Sequence, residues 1–287
     1  MDEVVSKAAT LLEALPYVQR FRSQVFVVKY GGSFMDSPNE EERHRVARDV
    51  VFLEAVGINP VVVHGGGKAI TRALEEAGVK AEFIHGHRRT DEATMEVVEQ
   101  VLSRELNPEI VNAIQEFGGK ARGFSGTDIF RCRKFVRDDD VDLGFVGDVY
   151  EVNVDPLREC IRRSVTPVIS PTARGEDGKI YNCNADIAAA KTAIALKARR
   201  LVFVSDVPGL LSDPADPASL ITHLQTNEVP KLRETGVIAE GMIPKVDGAV
   251  AAIESGVEKV QFVDGRIPHS ILLEIFTDAG VGTEVVR

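Results

Sequence analysis

Cysteine is scarce: Cys132, Cys160 and Cys183 are the three in 287 residues. An odd set without metal-ligand spacing argues against a disulfide framework or a zinc site and fits a reducing cytoplasm. Basic residues are in deficit too, with 34 Lys and Arg against 44 Asp and Glu and a formal net charge of −10. That is the wrong sign for a nucleic-acid partner, which calls for a basic surface. No apolar run approaches the ~20 residues a bilayer span needs, and no basic stretch with an apolar core stands near Met1. A membrane anchor and export are therefore not expected. The common phosphate signatures are absent as well. Gly118-Gly119-Lys120 is followed by Ala121 rather than by the Ser or Thr of a P-loop, and HGGGKAI puts Ile70 where a dinucleotide fingerprint needs its third glycine. A P-loop enzyme or a Rossmann dehydrogenase is disfavoured.

What is present is an ordinary globular composition, 44% apolar and 27% charged, long enough for one large unit or two lobes. The stretch QVFVVKYGG, Gln24 to Gly32, reads as a buried strand delivering Lys29 and the glycines Gly31 and Gly32 to its carboxyl end, where open α/β sheets bind ligands. Asn59 to Val63 repeats the pattern and ends in His64-Gly65-Gly66-Gly67. Helices are expected over Glu40 to Val56, Lys68 to Ala77, Ala185 to Ala198 and Lys245 to Ser255, and strands over Thr166 to Ser170, Leu201 to Ser205 and Val260 to Val263. This alternation predicts a parallel sheet with crossover helices. Ahead of it, Asp2 to Arg20 has helical spacing with Pro16 inside, so a kink is expected. Asp91 to Phe117 reads as a long helical region capped by Thr90 and broken at Pro108, and Lys120 to Asn153 as an insert of short antiparallel strands.

Several strand and helix ends carry groups suited to anions. KYGG and HGGGK offer backbone donors near helix N-termini. Arg88, in HGHRRTDE, can clamp a carboxylate through two contacts. Asn182, Asn184 and Asp186 stand at the start of the Ala-rich helix, where plain capping is the alternative. Lys245, in GMIPKV, sits near a helix N-terminus, where a lysine is disfavoured unless an anion is present.

LPYVQRFR, KYGG, VVHGGGK, RRTDEATMEVV, NCNAD, SDVPGL, GMIPKV and DGRIPHSILLEIFTDAGVGT, in this order over nearly the whole chain, resemble the amino acid kinase family. The likeness is greatest to its branch that phosphorylates N-acetyl-L-glutamate. The resemblance implies an α/β fold, a three-layer αβα sandwich with a mainly parallel central sheet. It divides the chain into an N-terminal kinked helix (1–21), an N-terminal lobe that binds the acid (22–178) and a C-terminal lobe that binds ATP (179–287), joined near Pro171 to Asn182. It implies transfer of the γ-phosphoryl of ATP to the side-chain carboxylate, giving N-acetyl-L-glutamyl 5-phosphate in arginine biosynthesis. Mg²⁺ would be held by the nucleotide phosphates and not by a metal site of the protein.

Carried over by position, Lys29 and Lys245 handle phosphate and Asp186 orients them. Gly66, Gly67, Arg88 and Asn182 hold the acid, while Gly31, Gly32, Asp206, Gly209, Gly241 and Met242 face the nucleotide. An arginine effector site is expected near Tyr17, His269, Glu274 and Gly282. The N-terminal helix implies a homo-oligomer, a hexamer built as a trimer of dimers, and some family members bind a nitrogen-signalling regulator protein. The chain departs from the usual GLRVTD at His87 and Arg89, and from Lys-Asp-Gly at Thr127-Asp128-Ile129. A sister kinase acting on N-acetyl-aminoadipate or a similar acid, and a non-catalytic arginine sensor, are the rival readings.

Overall fold

The computed structural model describes residues 2–287 apart from 33, 34, 36, 38, 85 and 138–140. Part of the expected insert thus lies outside the described residues. The chain opens with helix α1 (Asp2–Phe21), which continues through Pro16, and enters β1 (Val25–Tyr30). There follow α2 (Glu40–Ala55), β2 (Asn59–His64), α3 (Gly67–Glu76), the short pair β3 (Phe83–Ile84) and β4 (His87–Arg88), α4 (Glu92–Glu99) and α5 (Asn107–Glu116). Next come β5 (Ala121–Phe124), α6 (Gly126–Ile129), β6 (Phe130–Lys134), β7 (Val146–Val152), α7 (Asp155–Arg162), β8 (Thr166–Ile169), β9 (Thr172–Gly175) and β10 (Ile180–Cys183). The last third holds α8 (Ala185–Leu196), β11 (Arg200–Ser205), β12 (His223–Gln225), α9 (Val229–Glu234), α10 (Ile243–Glu254), β13 (Lys259–Asp264), α11 (Ser270–Phe276) and β14 (Thr283–Val286).

Eight strands form one sheet in the order β12-β14-β13-β11-β1-β2-β8-β5. Its pairings are parallel except β13 with β14, so β1 lies near the centre. Strand alternation divides β1 between two cores. Phe26, Val28 and Tyr30 pack in one cluster with residues of α2, α5 and α11, whereas Val27 joins Ala188, Ala189 and Ala249 of α8 and α10 on the other face. The result is the expected three-layer sandwich. Lys29, two residues beyond Val27, is thereby sent to the α8–α10 side. No helix among the described residues is long and apolar enough to cross a membrane.

Three local expectations change. Asp91, not Thr90, caps α4, its carboxylate accepting from the Thr94 amide at 2.8 Å. The long helical region does not break at Pro108. It passes through a π-helical segment, Gln100–Leu106, before Pro108 falls in the first turn of α5. A wider ladder just upstream accommodates the missing proline N–H and the bulk of its ring. Within Lys120 to Asn153, β5 belongs to the main sheet beside β8, and β6 and β7 close with β9 and β10 into a separate four-stranded barrel. The segment near Pro171 to Asn182 is therefore itself paired sheet.

Candidate active site

Asp186 is the centre of the site. Asn184 caps α8 by accepting from the amides of Asp186 (2.8 Å) and Ile187 (3.2 Å), which places Asp186 in the first turn, where the helix dipole favours a carboxylate. Lys29 reaches it from β1, Nζ to Oδ1 3.0 Å, and Lys245 from the first turn of α10, Nζ to Oδ2 2.6 Å. Each lysine holds its own oxygen. The anion that makes Lys245 tolerable at a helix N-terminus is thus supplied by the chain itself. Small residues permit this meeting: a β-carbon on Gly248 of α10 would lie 3.2 Å from Ala190 of α8, and one on Gly31 would lie 2.4 Å from the Lys29 ammonium.

All three side chains are nearly buried. Burial alone would raise the Asp186 pKa, but Lys29 and then Lys245 outweigh it and hold the carboxyl at about 2. Burial lowers the Lys29 pKa; Asp186 opposes that fall and Lys245 adds to it.

Lys29 and Asp186 open on a cleft of about 870 Å³ that is also lined by Gly66, Gly67, Arg88 and Asn182. Beside it, a space of about 520 Å³ is bounded by Gly32, Gly66, Gly67, Lys68 and Asp206. A β-carbon on Gly66 would stand 2.6 Å from both Leu102 and Leu106 of the π-helical segment, so a side chain there would have to displace both leucines. Sequence reasoning missed what braces this turn. His64 is fully buried, with Nδ1 2.9 Å from the Gly65 carbonyl and Nε2 3.3 Å from the Asn107 amide nitrogen. It is therefore a donor at Nδ1 and an acceptor at Nε2, hence neutral, and burial lowers its pKa to about 4.

Arg88 is buried against the face of Phe83, 4.6 Å from the ring centroid, and Nη2 donates to the Gly67 carbonyl (2.9 Å) and to Thr71 Oγ1 (2.8 Å). Nη1 has no partner. Both Nη2 hydrogens are engaged, so the guanidinium offers a carboxylate its Nη1 donors, not the two-pronged edge expected from sequence. Thr90 joins Arg88 and Asn182: its hydroxyl donates to the Arg88 carbonyl at 2.9 Å and accepts from the Asn182 amide at 3.3 Å. The unusual Arg89 faces solvent, paired with Glu82 at 3.0 Å, while His87 lines the cleft and stacks on Phe135.

Of the other candidates, Asp206 directly follows β11, and Gly241 and Met242 form the turn that leads into α10. Gly209 serves packing: with φ of 141°, its missing side chain leaves room for Thr283, whose hydroxyl accepts from the Leu210 amide. Tyr17, Glu274 and Gly282 line a separate cavity of about 760 Å³, joined there by Arg200, His223 and Lys259. His269 is not brought to it; its Nδ1 lies 2.7 Å from Asp49.

Comparison with known proteins identifies the family. Acetylglutamate kinase of Heliobacterium modesticaldum is 48% identical with full coverage of both chains, and that of Methanocaldococcus jannaschii is 44% identical over 100% of this chain and 98% of its own length. Among solved structures, N-acetylglutamate synthase of Neisseria gonorrhoeae, complexed with coenzyme A and N-acetyl-glutamate, superposes with a TM-score of 0.86 at 25% identity. That match covers 98% of this chain, which spans 63% of the synthase. The same synthase complexed with coenzyme A and L-arginine gives a TM-score of 0.80 at 26% identity, over 97% of this chain and 65% of its own. The model of the amino acid kinase family matches residues 24–264, and with these relatives it establishes that the chain belongs to that family.

Proposed function

We propose that this protein transfers the γ-phosphoryl group of ATP to the side-chain carboxylate of N-acetyl-L-glutamate, giving N-acetyl-L-glutamyl 5-phosphate, a step of arginine biosynthesis. The observation that carries this reading is the Lys29–Asp186–Lys245 bridge beside a cleft that is also lined by Arg88, whose Nη1 is unpartnered among the described residues. A buried cation with unsatisfied donors suits an anionic substrate. The full-length relatives named acetylglutamate kinase, and the synthase bound to N-acetyl-glutamate, support the choice of acid.

The acceptor carboxylate is ionised at neutral pH and needs no general base; the difficulty is bringing two anions together in line. Lys29 and Lys245 oppose that repulsion and stabilise the transferring group. Asp186 fixes both ammonium groups and offsets part of their combined charge, so they present donors with less mutual repulsion. Gly32, Gly66 and Gly67 bound the adjoining space, where backbone amides can receive phosphate oxygens. Since the Asp186 charge is already offset by two lysines, Mg²⁺ fits better on the nucleotide phosphates than on this carboxylate, and there it would neutralise phosphate charge. Residues 22–178 would form the acid-binding lobe and 179–287 the nucleotide lobe, with Asp206, Gly241 and Met242 on the nucleotide side.

The separate cavity is read as an arginine site: Glu274 and Glu284 in its lining bring negative charge suited to a guanidinium, and Arg200, buried with Nε and Nη1 unpartnered among the described residues, suits the ligand's carboxylate. On α1, Leu11 and Leu12 remain 70% and 67% exposed, a stripe that supports pairing of these helices in a hexamer. The test is ADP release with Mg-ATP and N-acetylglutamate, N-acetyl-aminoadipate or glutamate, each with and without arginine. Turnover confined to N-acetylglutamate and suppressed by arginine is the expected result. Turnover confined to another acid would move the substrate, although the outward pairing of Arg89 with Glu82 speaks against that.

A further inference from the structure

One side chain that the mechanism does not use fixes the acid-binding guanidinium. Thr71, on α3, lies 2.8 Å from Arg88 Nη2 and donates its own proton to the Gly67 carbonyl at 2.9 Å. A hydroxyl has one proton, so toward Arg88 it acts as acceptor. Gly67 accepts from the same Nη2 at 2.9 Å, and the Phe83 ring lies 4.6 Å from the guanidinium carbon. The ring sets the plane of the guanidinium, and the two acceptors set its rotation within that plane. With Gly67 alone, the group could pivot about a single hydrogen bond.

We propose that Thr71 is a positioning residue for the acid: its hydroxyl holds Arg88 so that the unpartnered Nη1 is left to meet the substrate's carboxylate. Thr71 therefore governs how tightly the acid binds and not the rate of phosphoryl transfer. This rests on reading the cleft as the acid site, and the experiment separates the two claims. Initial rates of ADP release are measured for the parent, Thr71→Val, Thr71→Ser, Arg88→Ala and the Thr71→Val/Arg88→Ala double variant, varying N-acetylglutamate and ATP in turn.

Thr71→Val keeps the shape and removes the hydroxyl. It is expected to raise KM for the acid about tenfold, the scale of one hydrogen bond to a charged group, with kcat within about twofold and KM for ATP unchanged. Thr71→Ser is expected to restore KM. In the Arg88→Ala background the valine change is expected to add less than about twofold, since the group it orients is gone. Thr71→Ala takes the place of valine if that variant fails to fold. A parental or lowered KM in Thr71→Val, an equal loss in kcat and in KM for ATP, or full additivity with Arg88→Ala would overturn the proposal. A parent that turns over a different acid would refute the substrate reading instead, and the same series measured on that acid would then decide the role of Thr71.

Discussion

Replacing Asp186 by asparagine tests the centre of the site through stability, apart from turnover. The carboxyl sits at about 2, against 3.8 for an unperturbed aspartate, a preference for the ionised form of about 2 kcal/mol at neutral pH. That balance already includes the cost of burial, so the attraction of the two lysines exceeds it. The sign is that of a depressed acid: the stabilisation is present above about pH 3.8 and lost as pH falls through about 2. Asparagine keeps the shape and removes the charge, leaving Lys29 and Lys245 as close, nearly buried cations. Removing one partner of a buried ion pair costs ~3–5 kcal/mol, and a loss in that range is expected at pH 7 by urea denaturation. Burial already lowers the Lys29 pKa with Asp186 present; without Asp186 it falls further. A lysine that binds fewer protons in the native state than in the unfolded state makes stability rise with pH, so the deficit of Asp186→Asn should shrink between pH 7 and 9.5. A variant as stable as the parent at pH 7, or a deficit independent of pH, would refute the bridge as described.

Lys29→Ala and Lys245→Ala should each lower kcat about 10²-fold or more, the scale for losing one preorganised charge; normal turnover in either would remove that lysine from the mechanism. Asp49 is buried beside His269, and burial raises its pKa from 3.8 to about 6 despite the hydrogen bond from His269. Its contribution, about 3 kcal/mol, is present below about pH 3.8 and lost as pH rises through 6, so Asp49→Asn should flatten the stability profile over that window in calorimetry. Deleting residues 1–19 should abolish hexamers in light scattering if the exposed α1 leucines join subunits; a truncated hexamer would refute that role.

The strand-and-helix alternation was legible because buried parallel strands are unbroken runs of β-branched residues that end in glycine. Lys29, Asp186 and Lys245 were legible as charges at element ends, Lys245 through its misfit with a helix N-terminus. Other features left no local signal. His64 has the sequence context of any turn residue, and its neutral state follows from burial and from Asn107, 43 positions away. The cavity beside α1 and α11 draws Arg200, His223 and Lys259 from three strands, and β12 and β14 are too short to declare themselves. His269, carried over by likeness of motif, instead pairs with Asp49. Sequence alone therefore determined the fold class, the alternation of the main strands and helices and which charges are unusual, because these depend on local periodicity and on helix and strand ends. Tertiary structure decided that one carboxylate meets two lysines, that Arg88 keeps Nη1 free and that Arg89 turns to Glu82, because those outcomes depend on distances between residues far apart in the chain.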